Sequence, residues 1–372
     1  MFNFLRKLFC SNPTAPAPKP AAAAPGNRFA AAMELSQSSV MQVCDPQGTP
    51  MDLGESLFQG GEGSIYQLSS YDNLLVKVYH DMILQNPTII LETATKLASM
   101  EQLWRGQEPS FLAWPIMSVY GTGRYSGQVV GFVMRKKTGH SLRVLSGPQN
   151  VQRYFPAWNR LNLIQAAIQF AKNLDRLHKK NILLNDFNPA NIFVDASGNV
   201  SFIDCDSYQF SVRGQQKIYH SGVHFATHGA PELLLQPEYL KQPRTVKQDR
   251  FGAAIILYQI LMLGMHPYSH IGGSDPETNL RMGLCPLGSD AKCKLPEGIW
   301  YNLWSWLSYD VKHCFIQTFK NGHKNPEKRT SMYEWVRVLK LYQKQAENFG
   351  YDVSLTPPVP KPQEYKGHRS DL

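Results

Sequence analysis

The sequence predicts an α+β protein in two parts, a small β-rich part followed by a larger α-helical one. Three observations predict it. Residues 52 to 80 alternate apolar segments around Gly60-Gly61-Glu62-Gly63, as short strands joined by a turn would. Apolar residues at 161, 164, 167, 168, 171, 174 and 177 form one stripe of a helix. Residues 249 to 263 are apolar nearly all round, which predicts a buried helix.

The other elements follow in order. Residues 88 to 104 read as a helix, and 113 to 119 and 128 to 135 as strands. The run Asn191-Ile192-Phe193-Val194-Asp195 and the run Val200-Ser201-Phe202-Ile203 are separated by Ala196-Ser197-Gly198-Asn199, a hairpin turn. Asn191 opens the first strand and Asp204 follows the second, so both fall at one end of the hairpin. The parts are therefore 50–135 and 136–345.

Three flanking segments differ in composition. Residues 1–10 carry apolar side chains at 1, 4, 5 and 8, which is helix spacing. They read either as an amphipathic anchor for a membrane or partner, or as a start with no role. Residues 11–49 are a Pro/Ala-rich linker and lead-in. Residues 346–372 form a Pro-rich tail, polyproline-like from Leu355.

Composition narrows the class. An apolar fraction of 43% over 372 residues supports a real core, and no apolar run is long enough to cross a membrane. Six cysteines without a Cys-x-x-Cys pair, and a start without a secretory signal, suit free thiols in a reducing cytoplasm. The net charge of +9 favours anions in general. Lys241, Arg244, Lys247 and Arg250 read as a solvated face beside a helix start, and the chain lacks the interleaved aromatics of a nucleic-acid site.

The chemistry lies in Asp186, Asn191, five residues on, and Asp204, thirteen further. A carboxylate beside an attacking hydroxyl, plus an amide and a second carboxylate for magnesium, suits phosphoryl transfer. Magnesium is a hard cation and takes oxygen ligands, here Asn191 and Asp204.

This spacing resembles the protein kinases, which write it H-R-D-x-x-x-x-N and then D-F-G. Other stretches resemble the family in the correct order: a glycine-rich loop with Gly60, Gly61 and Gly63, and Leu75-Val76-Lys77-Val78 in place of V-A-I-K. Ala230-Pro231-Glu232 matches A-P-E, and Asp249 opens the buried helix. Gly264-Met265-His266-Pro267-Tyr268 resembles G-x-H-P-F, which makes His266 structural, and Arg329 resembles the late Arg that pairs with Glu232.

The resemblance, over about residues 50 to 345, implies a two-lobed protein-kinase-like fold using ATP and Mg2+. It implies that Asp186 is the base, that Lys77 contacts the α and β phosphates, and that Glu92, preferred to Glu101, holds Lys77. Met134 would back the adenine pocket, and the backbone of 135 to 137, with Lys136 at its centre, would pair with the adenine edge. The acceptors implied are Ser/Thr hydroxyls of protein substrates, the chain itself included. The contrasting reading is a pseudokinase that binds nucleotide and acts as a scaffold.

Several letters depart from the family. Phe58 replaces the first loop glycine, and Leu184-Asn185 replaces His-Arg before Asp186. Asn188 stands where the family has Lys two residues after the Asp; it can hydrogen-bond but carries no charge. D-F-G has become Asp204-Cys205-Asp206, with Asp206 either a third metal ligand or a turn former. These letters resemble a divergent bacterial branch associated with PP2C-type phosphatase and von Willebrand factor A-type partners.

Overall fold

The computed structural model describes residues 42–362, apart from 105, 213–216, 221–224, 237, 239–240, 289–290 and 292. The N-terminal segment 1–10 lies outside the described residues, as do most of the linker and the last ten residues. The chain divides into two compact units. One holds the described residues up to Ala98 with Pro115–Met134; the other holds Ser99–Trp114 with everything from Arg135.

The first unit is a seven-stranded sheet. Its strands are β1 (Val43–Cys44), β2 (Pro50–Met51), β3 (Leu53–Gln59), β4 (Gly63–Leu68), β5 (Tyr71–Tyr79), β6 (Pro115–Gly121) and β7 (Val129–Arg135), in the order β2-β1-β6-β7-β5-β4-β3. The alternation read from residues 52 to 80 is this β3–β4–β5 meander, with Ser64 opposite Val78 and Ile65 opposite Lys77. Val76, Val119, Val130 and Phe132 are buried within the sheet. Gly131 has a local reason: a Cβ there would collide with the carbonyl oxygen of Lys77, so only glycine lets β7 lie this close to β5.

Helix α1 (Pro87–Trp104) follows β5, and its last turns from Ser99 are counted with the second unit. Residues 99–114 hold to that unit through real bonds. Ala113 N–H donates to Phe202 O at 2.9 Å, and Phe202 N–H donates to Phe111 O at 2.8 Å. The Trp114 ring meets those of Tyr208 and Phe210 edge-on.

The second unit is built on three long helices, α2 (Arg160–His178), α3 (Val246–Leu261) and α4 (Met332–Asn348). Helix α2 packs against both others. Its stripe is buried beyond its half-buried first member, Leu161, with Ile164, Ala167, Ile168, Ala171, Leu174 and Leu177 at 2% exposure or less. Helix α3 begins three residues earlier than expected because Thr245 and Gln248 close a capping box over its first turn.

The Pro-rich tail is extended but docked. Leu355 is buried, Asn302 Nδ2 donates to Pro357 O, and Trp306 Nε1 donates to Val359 O, both at 2.9 Å. The five described cysteines are all free. Among the described residues no helix is long and apolar enough to cross a membrane.

Candidate active site

The expected hairpin forms within a small sheet of β8 (His140–Ser141), β9 (Ile192–Val194) and β10 (Val200–Phe202). Val194 faces Val200, and the turn is closed by Asp195 Oδ1, which accepts from Ser197 N–H and Asn199 N–H at 2.9 Å. Asn191 just precedes β9, and Asp204 lies two residues beyond β10. Ile203 N–H donates to Asn191 O at 3.0 Å, which ties the two ends together. Asn191 Nδ2 donates to Asp186 Oδ2 at 3.5 Å. That turns the amide oxygen of Asn191 away from Asp186, as a metal ligand requires.

Asp186 is held by its loop. Asp249, 1% exposed, accepts Leu184 N–H at 2.8 Å on Oδ2 and Asn185 N–H at 3.1 Å on Oδ1. Asn185 itself has φ 62°, a left-handed conformation that Asn tolerates better than most residues. Asp204 is left-handed as well, with φ 57°. Strain of this kind typically costs about 1–3 kcal/mol and gathers where function over-determines the backbone. The 3-10 turn Cys205–Ser207 follows, and it contains Asp206. Cys205 is fully buried, and burial pushes its thiol up.

The electrostatics are unusual for a carboxylate. Asp186 is pushed up to about 6, first by burial and then by the charge of Asp204; Arg244 and the amides of Asn188 and Phe225 pull it down. The residue keeps some exposure, but Oδ1 is enclosed and meets no hydrogen-bond donor. A divalent cation at Asp204 and the Asn191 amide would offset the repulsion between the two carboxylates, and these oxygen donors fit magnesium. Among the described residues no cluster of three or more His, Cys, Asp or Glu side chains offers another metal site.

The first unit supplies a phosphate-binding candidate. Lys77 is 7% exposed in β5, with its ammonium 5.6 Å from the Tyr79 ring centroid and 5.9 Å from that of Phe132. Glu62 Oε2 of the glycine loop lies 4.0 Å from it. The loop turns tightly, Gly60 N–H donating to Gly63 O at 2.9 Å. Gly63 is required by the close passage of the Val78 carbonyl, whereas a Cβ on Gly61 would meet open space. Phe58, in place of the family's first glycine, is 64% exposed.

Glu92 is not brought to Lys77: it is exposed on α1 and pairs with no described residue. The reason is the helix face. Ile90, Leu97 and Met100 point inward, and Glu92 lies about 200° round from Ile90 at 100° per residue. Glu101, one turn beyond Leu97, is half-buried on the inward side.

Asn188 hydrogen-bonds within its own loop and beyond it. Its Oδ1 accepts Ala190 N–H at 3.0 Å and Arg143 Nη2 at 3.3 Å, so it caps its own turn and receives an arginine. Met134 is buried, as an adenine-backing residue would be, and Lys136 is exposed. Nearby, Arg135 Nε meets Glu108 Oε1 at 2.7 Å and Lys137 Nζ donates to Ser110 O at 2.7 Å.

Sequence reasoning missed Arg244. Read as part of a solvated face, it is 6% exposed, and Nη1 donates to Asn185 O at 2.9 Å. Gln209 fixes its backbone, accepting Arg244 N–H at 2.8 Å and donating to Arg244 O at 2.7 Å. The structural residues sit as read. Arg329 Nη1 and Nη2 meet Glu232 Oε1 and Oε2 at 2.8 and 2.6 Å. His266 is buried and held near 3, donating from Nε2 to Thr227 O and accepting Tyr268 N–H at Nδ1, which fixes it neutral.

A family profile for the protein kinase domain matches residues 146–338, just over half of the chain. The chain belongs to the protein kinase family. The kinase match takes in the hairpin, Asp186, Asn191, Asp204 and the Glu232–Arg329 pair. Similar curated proteins are the protein kinase YegI of Escherichia coli O157:H7, 28% identical over 305 residues, covering 78% of this chain and 45% of the relative. The YegI of Escherichia coli strain K12 is 30% identical over 235 residues, covering 62% of this chain and 34% of the relative. The chain thus spans less than half the length of these curated kinases.

Proposed function

We propose that this kinase domain transfers the γ-phosphoryl group of ATP to Ser/Thr hydroxyls of protein substrates, itself included, with Mg2+ as the metal. The observation that carries this is the convergence of Asp186, Asn191 and Asp204 at one end of the hairpin, with Asp186 raised to about 6. A base poised near neutrality accepts a proton in the reaction and releases it afterwards.

Magnesium, when bound, supplies charge neutralisation for the phosphates. Asp204 and Asn191 would hold it by oxygen atoms. Asp186 orients the acceptor hydroxyl and takes its proton as the oxygen bonds to phosphorus. The bond from phosphorus to the bridging oxygen breaks, and its electron pair leaves with ADP. Lys77, in β5, would position the phosphates, and the backbone beside Lys136 would meet the adenine.

Ser/Thr acceptors and a PP2C-type phosphatase or von Willebrand factor A-type partner rest on the family resemblance alone. The free thiols support a reducing, cytoplasmic setting. Incubation with labelled ATP and magnesium, alone and with generic protein substrates, tests the proposal. Label on Ser or Thr supports it; nucleotide binding with no transfer under any condition favours the scaffold reading.

A further inference from the structure

We infer that Arg143 supplies the cation for the transferring phosphoryl group, carried to the catalytic loop from a separate segment. This rests on the phosphoryl-transfer reading of the same site. The loop itself has no positive charge two residues after Asp186, where Asn188 stands. Asn188 instead holds an arginine. Its Oδ1 accepts both Ala190 N–H, at 3.0 Å, and Arg143 Nη2, at 3.3 Å. Two donors on one oxygen fix which end of the amide faces them, so Asn188 acts as an acceptor toward Arg143.

The segment that carries Arg143 is built to present it. Arg143 lies in the 3-10 turn Leu142–Leu145, whose Leu142 and Leu145 are 7% and 2% exposed. Three residues per turn put positions 142 and 145 on one side, which anchors the turn and directs 143 outward. Arg143 is accordingly exposed. Its bond to Asn188 uses one N–H of a five-donor fork, and the rest suit the oxygens of a phosphoryl group. An exposed hydrogen bond of this length contributes little to stability, so the pairing has no evident folding role. A guanidinium held here offsets charge that spreads over the phosphoryl oxygens in the transition state.

The test combines R143Q with a rescue, N188K, which returns the cation to the family's usual position. Two readouts are taken on the full chain: single-turnover transfer at saturating Mg·ATP, and calorimetric affinities for ATP and ADP. The expected result for R143Q is a loss in transfer of about 10² to 10³, the range for losing one preorganised charge-stabilising group. Its preference for ATP over ADP should fall at least several-fold, with ADP affinity unchanged. R143Q/N188K should regain most of both.

R143Q with the wild-type rate and the wild-type ATP-to-ADP ratio overturns the assignment. So does a defect that N188K leaves unrepaired, which would mark a structural contribution. Wild-type protein that transfers nothing defeats the phosphoryl-transfer reading instead, and the ATP-to-ADP ratio then decides the part of Arg143 alone.

Discussion

Arg244 donates from Nη1 to the backbone carbonyl of Asn185, 2.9 Å away, and is only 6% exposed. It brings a permanent positive charge to the residue just before Asp186. The family places an arginine in the loop itself; here a residue 59 positions later in the chain supplies a buried cation. Burial opposes its charge, and Asp249 and Asp186 support it.

Arg244→Gln should therefore move the acid limb of the pH–rate profile upward. Transfer requires ionised Asp186, so the wild-type rate falls as pH drops through about 6 without metal effects, and Arg244 is the largest of the influences that hold that value down. Magnesium at Asp204 should draw the limb below this, since it cancels the Asp204 charge that adds to burial in raising Asp186. Single-turnover rates from pH 5 to 9 check the prediction. An unchanged midpoint in the variant would show that Arg244 does not act on Asp186.

The same raised carboxylate has a cost in stability. The folded state holds the Asp186 proton more tightly than the unfolded chain does, at about 6 against 3.8. Stability should therefore fall as pH rises through that window. Asp186→Asn removes the buried charge, so it should stabilise the metal-free protein by about 1–2 kcal/mol at pH 7.5 and hardly at all at pH 4. Urea unfolding at the two pH values gives the comparison, and an equal effect at both would refute it.

Glu232→Gln should destabilise the second unit by about 3 kcal/mol, since it strands the charge of a buried guanidinium. The Arg329 side chain is 0% exposed and its partner 21%. Chemical denaturation measures this, and a change under about 0.5 kcal/mol would class the pair with ordinary surface bridges.

Lys77→Met should weaken Mg·ATP binding while leaving the sheet folded, because the methionine fills the space beside Tyr79 and Phe132. Glu92→Gln should change neither affinity nor rate, since Glu92 is exposed and pairs with no described residue. Titrations of both variants decide it, and a Glu92→Gln defect matching that of Lys77→Met would restore Glu92 as the holder of Lys77.

The parts legible in the sequence are those with a local signature. The hairpin shows because two apolar runs flank a Ser-Gly-Asn turn, and α2 shows because its stripe repeats at helix period. A hairpin of that length by itself brings Asn191 and Asp204 to the same end. Glu92 is misplaced although the signal exists: counting round α1 from Leu97 puts Glu101, not Glu92, on the inward face. Arg244 and Arg143 leave no signal. Each reaches the catalytic loop over tens of residues, and a basic residue near a helix start is solvated by default. The docked tail is hidden similarly, because Asn302 and Trp306 bind its carbonyls, which every sequence has.

The most direct test of the account is Asp186→Asn, compared with wild type for transfer and for Mg·ATP affinity. The variant keeps the shape and loses the basicity. Positioned bases contribute on the order of 10² to 10⁴ in rate, and transfer should fall by that much. Affinity should stay nearly unchanged, because the proposed metal ligands Asn191 and Asp204 are separate residues. A variant that transfers phosphate at the wild-type rate would contradict the assignment of Asp186 and, with it, the site built around the hairpin.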